Sequence, residues 1–116
     1  MVRKTTCRVG TDMLAVANAL ELPGHGDSMS YVANVYILND GKWTLIAKVH
    51  NSGWGGETDI YPEEGCNDII FRLKGELNKH SWLGWKDHWI KYDLPFLIDM
   101  MADSLFDGKD TYVLEN

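Results

Sequence analysis

Ser30-Tyr31-Val32-Ala33-Asn34-Val35-Tyr36-Ile37-Leu38 and Trp43-Thr44-Leu45-Ile46-Ala47-Lys48-Val49-His50 are two runs rich in strand-forming residues, joined by Asn39-Asp40-Gly41-Lys42. In the first run Tyr31, Ala33, Val35 and Ile37 alternate with Val32, Asn34, Tyr36 and Leu38. In the second, Trp43, Leu45, Ala47 and Val49 alternate with Thr44, Ile46, Lys48 and His50. Asn, Asp and Gly tolerate the positive φ that a tight hairpin turn demands, so the pattern predicts an antiparallel hairpin turning at Asp40-Gly41. Both faces of the first run are largely apolar. That suits a central strand, or one sealed by helices on one face and partly covered on the other. Trp43, on a strand, is expected in the core.

Working outward, residues 12–21 carry Leu14, Ala15, Ala17 and Leu20 behind an acid, and predict a short helix capped by Thr11 or Asp12. Pro23-Gly24-His25-Gly26-Asp27-Ser28 breaks regular structure. On the other side of the hairpin, Asn51-Ser52-Gly53-Trp54-Gly55-Gly56 interrupts the strand pattern. A short strand is expected from Glu57 to Tyr61, ending at Pro62, with a turn at Glu63-Glu64-Gly65. Ile69, Ile70, Leu73 and Leu77 recur near a period of 3.6 and predict a helix over 68–79, capped by Asn67 or Asp68. Asp93 as N-cap and Pro95 in the first turn predict a second helix over 94–106, burying Leu97, Met100, Met101 and Leu105 and stopping at Gly108.

Residues 81–92 read two ways: Trp82, Trp85, Trp89 and Tyr92 would share a helical stripe, but Gly84 weakens a helix. Residues 111–114 suit a last strand. With no internal repeat or linker-like stretch, the 116 residues are expected to form a single α+β domain over 1–116, a small antiparallel sheet built on the 30–50 hairpin with helices on one face.

Composition narrows the function. The net charge is −6, and the cations are dispersed apart from Arg3, Lys4 and Arg8. Phosphate binding calls for clustered cations, so direct nucleic-acid contact is not expected. The longest apolar stretch, Leu94 to Ile98, is too short to span a membrane, and no apolar segment follows the N-terminal cations as in a signal peptide. A cytoplasmic protein with Cys7 and Cys66 as free thiols is expected.

His25, His50, His80 and His88 show no paired metal-ligand spacing, and the acids Glu57, Asp59, Glu63, Glu64 and Asp68 do not follow a calcium-loop pattern. Neither cysteine lies in a nucleophile signature, and no GxSxG, SxxK or Walker motif occurs. We therefore expect a binding protein rather than an enzyme, with no cofactor and no metal.

Three features are candidates for binding. Asp99, Asp103 and Asp107 recur every four residues on the second helix. Such a stripe is commonly just a solvated face, but it also suits a partner with a basic surface. Trp82, Trp85 and Trp89 suit either a core-facing stripe or an interface, where tryptophan is enriched. Asn51, Gly53, Trp54, Gly55 and Gly56 form a glycine-rich loop after a strand. It reads as a sheet bulge or, alternatively, as a small-ligand site that offers backbone N–H groups to a nucleotide-like anion while Trp54 stacks on it.

His50-Asn51-Ser52-Gly53-Trp54-Gly55-Gly56, followed by a polar strand ending in Tyr61-Pro62, resembles a segment of small uncharacterised accessory proteins of bacteriophages and mobile elements. The resemblance covers about a fifth of the chain. It implies a phage accessory protein in a host-cell cytoplasm, and with the acidic charge it suggests an inhibitor of a host defence or nucleic-acid-handling complex. A homodimer remains open.

Overall fold

The computed structural model describes residues 3–22, 30–53, 58–80, 82–85, 88–91 and 93–108; of 80, 82–85 and 88–91 it describes the backbone alone. Five strands, β1 (Lys4–Val9), β2 (Asp12–Leu22), β3 (Ser30–Asn39), β4 (Lys42–Asn51) and β5 (Asp59–Pro62), form one antiparallel sheet in sequence order. Helix α1 (Asn67–His80) and helix α2 (Leu94–Phe106) pack on it, making a small α+β fold. Between the helices, β6 (Trp82–Trp85) and β7 (His88–Lys91) pair as a separate two-stranded hairpin.

The central hairpin follows the expected pattern. Asn39 pairs with Lys42, and Asp40 and Gly41 form the turn with φ of 49° and 78°. Two successive positive φ values give a turn whose twist matches that of the strands it joins. A bulge between Val35 and Tyr36 places Ile46 out of strict alternation, so Ile46 and Ala47 are both buried.

Residues 12–21, expected as a helix, are strand. Ala, Leu and Glu favour a helix locally, yet Leu14 and Val16 face the helix layer while Ala15 and Ala17 are buried on the opposite side. Here pairing on both edges overrides propensity. The partner on one edge is β1, which the sequence reading did not anticipate. Val9 pairs with Asp12 across Gly10-Thr11, and Gly10 sits at φ 62°. A second bulge, between Ala17 and Leu20, holds Asn18 at φ 55°.

Both helices appear as expected. In α1, Ile70, Leu73 and Leu77 are buried and Ile69 packs against the same core. Its first turn closes with Ile70 N–H donating to the Cys66 carbonyl at 3.1 Å. In α2, the Asp93 carboxylate accepts from Phe96 N–H at 2.9 Å, and Leu97, Ile98, Met101, Ala102 and Leu105 are buried. Met100 is only half-buried. Full burial of each such aliphatic side chain contributes about 1.5–3 kcal/mol, which makes this layer the main stabiliser of the helix–sheet contact. Arg72 adds a paired bond to Asp12 at 3.0 Å, tying α1 to the start of β2.

Trp43, expected in the core, is half-buried on the face of the sheet opposite the helices, with the Lys4 amine 5.6 Å from its ring centre. Cys7 and Cys66 are free thiols, the first buried. Among the described residues no helix is long and apolar enough to cross a membrane.

Candidate functional site

β3, the loop after β4 and helix α2 meet in a buried polar cluster. Tyr31, the largest fully buried side chain, sits with its ring edge against Phe106, centroids 6.2 Å apart. Its hydroxyl donates to Asp99 Oδ1 on α2 at 2.5 Å. The Thr58 hydroxyl, also buried, donates to the same oxygen. Burial, and then the neighbouring Asp99 carboxylate, push the Tyr31 phenol well above its usual range, so it remains a neutral donor.

Asn51 organises the other half. Its side-chain carbonyl accepts from Gly53 N–H at 2.8 Å, and its amide donates to Thr58 Oγ1 at 3.0 Å. Ser30 Oγ donates to the Asn51 backbone carbonyl at 2.9 Å. One side chain thus clasps the chain on both sides of 54–57, and Thr58 passes that anchorage on to α2. Gly53 has φ 85°, a conformation that suits glycine and lets its N–H turn back toward Asn51.

The clasp brings two of the sequence candidates together. Asn51 and Gly53 from the glycine segment, and Asp99 from the acidic stripe, are within one hydrogen-bonded chain. Trp54, Gly55 and Gly56 lie outside the described residues, as does the strand expected over 111–114. Asp99 is only half-exposed, while Asp103 and Asp107 are exposed. The Asp103 carboxyl is held above its usual value by partial burial, then by Asp107 and Asp99. Asp107 caps the end of α2, its backbone N–H bonding to the Asp103 carbonyl at 2.9 Å.

Trp82, Trp85 and Trp89 lie on β6 and β7, where Trp82 pairs with Lys91, Gly84 with Trp89 and Trp85 with His88. The spacing that would align them on a helix has no such meaning on strands, whose period is two. Their side chains lie outside the described residues. A groove of about 660 Å³ opens between α1 and the start of α2, beside Phe71, Lys74 and Pro95, away from Asp103 and Gly53.

Chemically, the cluster offers a neutral phenol, two hydroxyls and a carboxylate already engaged by both donors. These hydrogen bonds hold Asn51, Gly53 and Thr58 against α2. Among the described residues no three His, Cys, Asp or Glu side chains gather where a metal ion would fit. No known family model matches the chain, and no curated protein or solved structure matches it.

Proposed function

We propose that the chain is a non-enzymatic binding protein that engages a protein with a basic surface through the acidic edge of α2 and the Asn51–Gly53 turn tied to it. The observation that carries this reading is the double clasp of Asn51 on Gly53 and Thr58, continued to Asp99. Asn51, Gly53 and Thr58 are fixed by hydrogen bonds next to Asp99, one turn of α2 from the exposed Asp103, so these groups lose little entropy on binding. Asp103 and Asp107 repel each other, a cost that a cationic partner would relieve. The same geometry counts against a nucleotide-like anion: Gly53 N–H is already bonded to Asn51, and Asp99 is next in the network. The resemblance of 50–62 to phage and mobile-element accessory proteins, with a net charge of −6, supports inhibition of a host defence or nucleic-acid-handling complex in the cytoplasm.

Capture from a bacterial host lysate, followed by affinity measurement with the captured protein, tests this. Binding should weaken with salt, fall strongly for Asp103→Lys/Asp107→Lys and fall for Asn51→Ala. Asp99 is left out of the charge reversal because its loss would strip Tyr31 and Thr58 of their acceptor. A captured partner that binds all folded variants as tightly as the parent chain refutes the reading.

A further inference from the structure

The fold sorts its charges by face. Residues opposite one another in an antiparallel sheet share a face, so the register defines rows across it. One row runs Lys4, Ala17, Asn34, Lys48, Tyr61 across all five strands. A second runs Thr6, Ala15, Tyr36, Leu45, and others pair Arg8 with Met13 and Trp43 with Leu38. These residues lie opposite the helices, and none of them joins the core cluster. The neighbouring row adds His50 and, in register with it, Asp59. Among the described residues the rows named here carry Lys4, Arg8 and Lys48, with the acid Asp59 opposite His50, on a chain whose net charge is −6.

Rings lie among those cations. Tyr61 is 57% exposed beside Lys48. The Tyr36 hydroxyl accepts from Asn18 at 2.8 Å and Asn34 at 3.3 Å, which fixes its ring along β3. Trp43 holds the Lys4 amine over its ring. Ala15 and Ala17 are buried beneath these larger side chains, which therefore form the outer surface of the face.

We infer that this face is a docking platform for single-stranded nucleic acid, with Lys4, Arg8 and Lys48 meeting the backbone and Tyr61, Tyr36 and Trp43 offering rings to the bases. Flat rings among spaced cations match a strand whose bases are unstacked and whose phosphates are charged. A second copy would bring the same cations against themselves. The expectation of no direct nucleic-acid contact rested on the net charge of −6 and on cations dispersed along the sequence; the sheet register brings Lys4, Arg8 and Lys48 onto one face. This inference does not depend on the protein partner proposed above, which uses the acidic edge of α2.

Fluorescence anisotropy with a labelled oligothymidylate of about 12 nucleotides tests it, that length being within the range such platforms cover. Binding should weaken with salt with a log–log slope of roughly −2, as expected for three phosphate contacts on a single strand. Lys48→Glu and Tyr61→Ala, both at exposed positions, should each lower affinity on the order of tenfold with an unchanged melting temperature. Lys74→Glu, the same charge change on α1, should leave it unchanged. The inference fails if no binding occurs at roughly 50 mM salt, where backbone contacts are strong. It also fails if Lys74→Glu costs as much as Lys48→Glu, if Tyr61→Ala has no effect, or if polyglutamate or a duplex competes as well as the single strand.

Discussion

The Tyr31 hydroxyl reaches Asp99 Oδ1 at 2.5 Å, linking β3 of the sheet to the middle of α2. The same oxygen accepts from Thr58, so the bond also sets where the segment after β4 re-enters the sheet. Fold and candidate surface therefore depend on one another at this point. Tyr31→Phe should cost about 1–2 kcal/mol in chemical denaturation, since it removes a hydrogen bond to a charged acceptor and leaves the ring in place. The phenol's raised value makes a second readout. Its contribution to stability is fully present below the ordinary tyrosine value of 10.0 and is lost as pH rises above that, because the unfolded chain then releases the proton first. Denaturation followed from pH 8 to 11 should show a steeper alkaline loss for the parent chain than for Tyr31→Phe, with roughly 1.4 kcal/mol per pH unit as the ceiling for one group. Equal slopes would mean that the phenol ionises normally.

Asp103 gives a prediction of the same sign at acid pH. Its carboxyl is raised above the ordinary aspartate value of 3.8 by partial burial and by Asp107 and Asp99. A raised acid contributes stability below its unfolded value and loses it as pH climbs through the folded one. Asp103→Asn should therefore match the parent chain's melting temperature near pH 3 and exceed it from pH 5 upward, most clearly at low salt. A variant less stable than the parent at pH 7 would show that the carboxylate has a favourable partner.

Glycine substitutions should separate backbone strain from space. Gly41 has φ 78° with nothing within 4 Å of an added Cβ, so Gly41→Val is penalised by conformation alone, by about 1 kcal/mol or more. Gly75 lies inside α1 with equally open surroundings and no positive φ. Gly75→Ala should stabilise by roughly 0.5–1 kcal/mol, because alanine is the better helix former. Urea denaturation of the pair should give opposite signs; a shared sign would contradict the backbone geometry at one of the two positions.

The sequence by itself determined the central hairpin, both helices and the Asp93 cap. Each rests on short-range chemistry: alternation with period two, apolar recurrence near 3.6, and residues that accept positive φ or cap a helix. Gly10-Thr11, a two-residue turn between Arg8-Val9 and Asp12-Met13, was the legible sign of β1 and β2 that Leu14, Ala15 and Ala17 obscured. The tertiary structure decided that 12–21 is a strand, because it pairs with β1 on one edge and β3 on the other and is buried on both faces. It also decided that Asp99 is tied to Tyr31 and Thr58, at separations of 68 and 41 residues, rather than standing free with Asp103 and Asp107. Finally, it divided an acidic composition into an acidic helix edge and a basic, aromatic sheet face. Net charge is a sum over residues, whereas each face is a product of register: Lys4, Lys48 and Tyr61 share a face only because four successive strand pairings, two of them shifted by bulges, place them in one row.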